Sequence, residues 1–173
     1  MILNYGKIGI RDVTLEDAKQ LCKWWNDGKV MAHAGFPNGI NITLESVVNQ
    51  ITNPNKQEFR HIILYDQRPI GEMVYRQLTA KTCQVGIKIC DFSMQNKGIG
   101  KIVLSLFISA LFEKYQYEKI ILDTDLNNKR AQHVYEQLGF KKISTNNTWI
   151  DQVGNIRTII DYKLKRNKFI SYL

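Results

Sequence analysis

Sulfur is scarce in this chain: 173 residues contain three cysteines, Cys22, Cys83 and Cys90. An odd count without paired spacing excludes a disulfide framework, and without a Cys-x-x-Cys pair nothing seeds a zinc site. The three histidines, His33, His61 and His133, are too scattered to form a ligand set, so no metal is expected. Proline is equally rare, and Pro37, Pro54 and Pro69 all fall where loops or strand starts are expected. No apolar run approaches the ~18 residues needed to cross a bilayer. The first residues, Met1 to Lys7, lack the basic-then-apolar layout of a secretory signal. Internal repeats, low-complexity tracts and Pro/Ser/Gly linkers are absent too. A soluble, cytoplasmic chain is expected, free of the membrane.

What is present suits one ordinary domain over residues 1–173, since 44% of the chain is hydrophobic and 23% charged. Such a chain buries roughly two-thirds of its unfolded surface without staples. The net charge of +8 calls for an anionic partner or simply serves solubility. Nucleic acid, an acidic protein surface and a polyphosphate cofactor all match that sign.

Periodicity places the elements. Lys7 to Asp12 reads as a first strand, and Thr14 caps a helix carrying Leu15, Ala18, Leu21, Cys22 and Trp25 on one stripe, stopped at Asn26-Asp27-Gly28. Met31 to Asn41 reads as irregular, and Thr43 caps a second helix. Glu58 to Tyr65 and Pro69 to Gln77 form a hairpin around Asp66-Gln67-Arg68, and Lys81 to Cys90 continues the sheet. A long helical pattern opens at Gln95–Gly100 and runs to about Tyr115. Lys119 to Asp123 is a strand, Asn128 to Leu138 a helix ended by Gly139, and Lys141 to Ile150 and Ile156 to Leu164 close the chain as a hairpin. Antiparallel hairpins at both ends with one strand–helix–strand crossover between them define an α+β fold, with a mixed, mostly antiparallel sheet.

The crossover carries the main chemical signal. Val85-Gly86-Ile87-Lys88-Ile89-Cys90 leads into Gln95-Asn96-Lys97-Gly98-Ile99-Gly100-Lys101, so glycines fall at the first turn of a helix. A helix start leaves about four N–H groups unpaired and carries partial positive charge. Glycines let an anion approach those groups, and Lys97 and Lys101 add full charges, so a phosphate belongs here. A P-loop is excluded, because Ile102 follows Gly100-Lys101 and no glycine stands at position 95. The Rossmann fingerprint is excluded as well, since Val103 takes its third glycine position.

A second element follows after the next strand. Gln95-x-x-Gly98-x-Gly100, then Asn128-x-x-Ala131-x-x-x-Tyr135-Glu136-x-x-Gly139-Phe140, resembles the GNAT superfamily of acyl-CoA N-acyltransferases. The order of strands and helices from Lys7 to Leu164 is similar to that family over nearly the whole chain. Trp24-Trp25-Asn26-Asp27 and Trp149-x-x-x-x-Gly154-x-x-Arg157 most resemble its RimJ/RimL and spermidine-acetyltransferase branch.

The resemblance implies acetyl transfer from acetyl-CoA to a primary amine, in a ternary complex without an acyl-enzyme. The backbone of Gln95, Asn96, Lys97, Gly98, Ile99 and Gly100 would cradle the diphosphate, with Lys101, Lys129 and Arg130 nearby. Ile87, Lys88 and Ile89 would pair with the pantetheine arm as an added strand would, one N–H polarising the thioester carbonyl. Asn128, with Arg130 and Ala131 beside it, would bond that arm. Tyr135 lies about two helical turns, roughly 10 Å, beyond Asn128 and is the preferred general acid for the departing thiolate. An ammonium with a pKa around 10 must lose a proton before attack. Glu72 is the first choice to accept it, directly or through a water, ahead of His61 and Asp91. Trp24, Trp25, Phe36 and His33 are candidates for an acceptor pocket, although an ordinary core suits both tryptophans. No carboxylate occurs between Met31 and Asn41, which disfavours a polycationic acceptor and favours a protein N-terminus or a small metabolite amine. A homodimer is compatible with the resemblance.

Two rivals remain at this stage. One is a GNAT-shaped domain that binds acyl-CoA without turning it over. The other is a basic nucleic-acid-binding module, disfavoured because acidic residues interrupt the basic ones until the final Lys163–Lys168 stretch.

Overall fold

The computed structural model describes residues 1–173, apart from the side chains of residues 145 and 146. The chain opens with a hairpin of β1 (Ile2–Tyr5) and β2 (Ile8–Asp12), Ile2 facing Arg11 and Tyr5 facing Ile8. Only the second strand was legible in sequence, because Ile2–Tyr5 is mostly exposed and shows no alternation of burial. Thr14 and Asp17 form a reciprocal capping box over a single 3-10 turn that runs into α1 (Ala18–Asn26). Asp27 ends α1 and restarts the chain, since its carboxylate accepts the amides of Lys29 and Val30 and so caps a short α2 (Gly28–Met31). Thr43 caps α3 (Leu44–Thr52), its hydroxyl accepting the Ser46 amide.

β3 (Glu58–Tyr65) and β4 (Arg68–Thr79) turn through Asp66 and Gln67, both at positive φ, and β5 (Thr82–Ile89) follows. Next come α4 (Ile99–Glu113), β6 (Lys119–Asp125), α5 (Lys129–Gln137), β7 (Lys141–Ile150) and β8 (Ile156–Lys165). The eight strands form one sheet in the order β1-β2-β3-β4-β5-β6-β8-β7, and β5–β6 is its parallel pair. The α+β expectation holds.

One face carries the main core. Ile63, Met73, Tyr75, Val85, Ile120, Leu122 and Tyr162 meet Val103, Phe107 and Leu111 of α4 there, with Tyr135 and Leu138 from the α5 region. On the other face, α1 and α3 bring Leu21, Trp24, Trp25 and Val47 against Ile62 and Leu64 of β3. That second cluster stops near the sheet's middle. The remaining half of this face, formed by β4, β5, β6 and β8, carries polar side chains instead. Among the described residues, no helix is long and apolar enough to cross a membrane.

His61 lies in the core, 1% exposed, between Tyr75 and Phe107. Burial, only partly offset by the charge of Asp12, lowers its pKa to about 4. Through the window from its unfolded value near 6.5 down to about 4, the unfolded chain binds the proton and the folded one does not. Stability is therefore complete above that window and falls as pH drops through it, by about 3 kcal/mol in all. Denaturant unfolding at stepped pH should show this slope in the parent, and His61→Phe should remove it.

Candidate active site

The site begins where backbone pairing stops. β5 and β6 share only three residue pairs, Thr82–Lys119, Cys83–Ile120 and Gln84–Ile121. Beyond them β5 stays with β4 as far as Ile89, while β6 stays with β8 as far as Asp125, so the two strands part. Cys90 donates its N–H to the Ile70 carbonyl, and backbone groups alternate sides along an antiparallel strand. The even-numbered residues of β5 thus bond to β4. Ile87 and Ile89 turn their N–H and C=O groups into the gap. Of the three residues expected to offer backbone groups, Lys88 therefore contributes its side chain instead: Nζ reaches Glu72 at 3.2 Å.

A cleft of about 430 Å³ lies on one side of this gap. It is lined by every cofactor residue read from the sequence, from Ile87, Lys88 and Ile89 through Gln95, Asn96, Gly98, Ile99, Gly100 and Lys101 to Asn128, Arg130 and Ala131, with Lys97 as the exception. Asn96 and Gly98 both adopt positive φ, and the Lys97 side chain between them is exposed outside the lining. Lys129 is likewise exposed and outside it. Met94, Leu104, His133, Val134 and Gln137 complete the wall.

Gly98, at φ 75°, makes the left-handed turn that starts α4, and the amides of Gly98, Ile99 and Gly100 bond to no protein group among the described residues. A Cβ at Gly100 would meet no protein atom within 4 Å, so packing does not require the glycine. What it leaves clear is the approach to those amides. Arg130 is clipped over the turn, its Nη1 donating to Gln95 Oε1 at 2.9 Å and to Asn96 Oδ1 at 3.2 Å. Gln95 Nε2 in turn donates to the Ile89 carbonyl at 2.9 Å. Unpaired amides, a fixed guanidinium and Lys101 together suit a diphosphate.

A second cavity of about 520 Å³ opens on the polar half of the sheet. Ile87, Lys88, Asn128, Tyr135 and His33 line both spaces, so they stand where the two meet. Asn128 uses its side-chain oxygen to cap α5 through the Ala131 amide. Tyr135 is 6% exposed, packed on Tyr162 and Phe140, and its hydroxyl has no partner among the described residues. Burial, reinforced by Asp123 and Tyr162, pushes its pKa well above the usual phenol value, so the proton stays on oxygen.

Glu72 stands in the wall of the second cavity with both oxygens engaged. Trp25 Nε1 donates at 2.8 Å, Lys88 Nζ at 3.2 Å, and Arg60 Nη1 pairs with the other oxygen. Burial would raise its pKa, but Lys88, Arg60 and Trp25 overcome this and hold it below the usual carboxylate value. Its basicity and its lone pairs are both committed. The two alternatives lie elsewhere: His61 is in the core on the opposite face, and Asp91 caps a turn through Ser93 and pairs with Arg68 at 2.9 Å. Trp24 is core and Phe36 is outside the lining, while Trp25 combines core packing with its bond to Glu72.

The β7–β8 turn closes this cavity, a contact between distant segments that no sequence pattern signalled. Arg157 spans Asp151 at 2.9 Å and Asp125 at 3.2 Å. Gln152 Nε2 donates to the Gly39 carbonyl at 2.9 Å, and its Oε1 accepts the Asn38 amide at 3.0 Å. The Trp149 ring lies so close to Gly35 that a Cβ there would sit 1.6 Å from Cη2.

Comparison with known proteins agrees with this geometry. A family model described as an acetyltransferase (GNAT) domain matches residues 7–141. The spermidine N-acetyltransferase of Vibrio cholerae, solved with CoA and spermine, superposes with a TM-score of 0.80 at 19% identity, covering 94% of this chain and 97% of that one. RimL, the ribosomal L7/L12 alpha-N-protein acetyltransferase solved with coenzyme A, gives 0.79 at 11% identity over 95% and 98%. AAC(6')-Ib, in complex with ribostamycin and coenzyme A, gives 0.73 at 19% identity over 94% and 96%. The fold is shared with these acetyltransferases. The chain belongs to the GNAT acetyltransferase family.

Removing one member of a buried ion network leaves its partners uncompensated. Glu72→Gln should therefore destabilise the protein by about 3 kcal/mol, read as a lower midpoint in chemical denaturation. Glu72→Gln combined with Lys88→Met should recover part of that loss.

Proposed function

We propose that this enzyme uses acetyl-CoA to acetylate a primary amine by direct attack in a ternary complex. The observation that carries this is the parting of β5 from β6. It joins a cleft suited to a diphosphate and an amide-bearing arm to a separate cavity, with Tyr135 between them.

The residues divide the work. Amides of Gly98, Ile99 and Gly100, with Arg130 and Lys101, hold the diphosphate, and Ile87 and Ile89 extend the sheet onto the pantetheine arm. An N–H in the gap, best placed at Ile87, stabilises the developing oxyanion of the thioester carbonyl. The Asn128 amide nitrogen orients the arm. Tyr135, held protonated by burial, donates to the departing sulfur. Glu72 fixes Lys88 and Arg60 in the cavity wall, a positioning role set by its three donors.

The same wall bears on the acceptor. Arg60, Arg76 and Lys88 line the cavity and disfavour a polycation. Spermine and ribostamycin occur in related structures, and the L7/L12 N-terminus gives RimL its name. The mixed charge here favours the last kind, a protein or peptide α-amine, or a small monoamine.

Thiol release from acetyl-CoA, measured over spermine, ribostamycin and a short peptide with a free α-amine, tests the reading. Turnover with the peptide is the expected result; heat of coenzyme A binding with no product from any amine would make the protein a binder only. Tyr135→Phe should lower kcat by about a hundredfold, most at alkaline pH, with the heat of coenzyme A binding unchanged. Gly100→Val should weaken coenzyme A binding by at least about tenfold with little change in melting temperature, because a Cβ at this position meets no protein atom within 4 Å.

A further inference from the structure

We propose that Asp123 is the carboxylate that receives the acceptor's ammonium and takes its proton. This rests on the acetyltransferase reading above.

Three carboxylates line the acceptor cavity: Glu72, Asp123 and Asp125. Two are spent. Glu72 is held by Trp25, Arg60 and Lys88. Asp125 is 3% exposed, pairs with Arg157 at 3.2 Å, and accepts the Asn127 amide at 2.7 Å. Asp123 differs from both. It is exposed to the cavity, and its single bond is a neutral one, from Gln84 Nε2 to Oδ1 at 2.9 Å. Among the described residues, Oδ2 has no partner and no cation pairs with the group.

The Tyr135 hydroxyl, in the same cavity lining, likewise has no protein partner among the described residues, so both groups are open to a polar ligand there. Asp123 is close enough to add to the upward shift of Tyr135, so an amine held by the carboxylate lies near the thioester end of the cleft.

The groups facing Asp123 come from four elements. Gln84 projects from β5 and Arg76 from β4, Asp161 lies opposite on β8, and Tyr135 faces it from α5. Asp161 is itself bonded by Asn147 Nδ2 at 3.1 Å. Burial first, then Asp161, raises the pKa of Asp123, while Gln84 and Arg76 oppose the rise. The result is a better base than an ordinary aspartate and one that still holds an ammonium when ionised.

The step balances. Asp123 takes one proton from R–NH3⁺, leaving R–NH2. The nitrogen lone pair forms the C–N bond at the thioester carbonyl carbon, and the C–S bond breaks with its electrons on sulfur. Tyr135 protonates the thiolate and recovers the second proton from the new amide nitrogen, while Asp123 passes its own to water. The products are the acetamide, coenzyme A and one proton.

The test is the pH profile of kcat/KM for acetyl-CoA with whichever of spermine, ribostamycin or the α-amino peptide the parent turns over fastest. Asp123→Asn should lower kcat/KM at neutral pH by about a hundredfold. It should also abolish the acidic limb and recover towards the parent near the amine's own pKa, with the heat of coenzyme A binding unchanged. Activity within threefold of the parent, with the acidic limb intact, overturns the proposal. Should Asp123→Asn fail to fold, Gln84→Leu removes the bond that opposes the rise and should move the limb to higher pH; an unmoved limb overturns the proposal equally. A parent inactive with all three amines would defeat the acetyltransferase reading itself, a failure distinct from a neutral Asp123 substitution in an active enzyme.

Discussion

Everything functional in this molecule depends on a hydrogen-bond ladder that is abandoned early. β5 and β6 pair over three residues and then separate, which leaves the Ile87 backbone groups and the Ile89 N–H facing the gap, while the Ile89 carbonyl accepts from Gln95. Unpaired edge groups are a liability in most sheets and are paired, covered or charged away. Here the gap is kept open because each strand is secured on its other side, β5 by β4 and β6 by β8. The fold forgoes a few backbone bonds at its centre and keeps a free strand edge there, as the proposed pantetheine pairing requires.

Around that gap the charges fall into two kinds. Glu72, Asp125 and Asp151 are tied to cations and indole or amide donors, and they hold Arg60, Lys88 and Arg157 in place. Among the described residues, Asp123 is bound only by an amide and the Tyr135 hydroxyl by nothing. A polar group whose partners are already supplied by the protein serves architecture, whereas one left without them at the junction of two cavities is available to a substrate. The overall excess of positive charge has a local counterpart in Arg130 and Lys101 at the start of α4, while much of the remainder, Lys97 and Lys129 included, is exposed.

How much was legible without coordinates can be judged from particular residues. Thr14, Thr43 and Asn128 announced their helix starts because capping is local chemistry, and Gly98 with Gly100 announced the turn into α4 for the same reason. The lining of the cleft between α4 and α5 was almost wholly readable, since it comes from two short contiguous segments. The Lys97 side chain lies outside the cleft lining, between two residues of left-handed backbone that charge and spacing did not reveal. β1 was missed for want of a buried face. The neighbours that saturate Glu72 were invisible, as Trp25, Arg60 and Lys88 are brought to it from three separate elements.

The amino-acid order alone determined most of the elements, their caps, the α+β class and the glycine turn before α4, because each depends on interactions within a few residues. Tertiary structure decided which carboxylate is spent and which is free, where β5 leaves β6, and how the β7–β8 turn seals the cavity against residues 32–39. Those outcomes turn on contacts between segments far apart in the chain, such as Gln152 with Asn38 or Gln84 with Asp123. Local propensity carries no information about such pairings, so they exist only once the sheet has assembled.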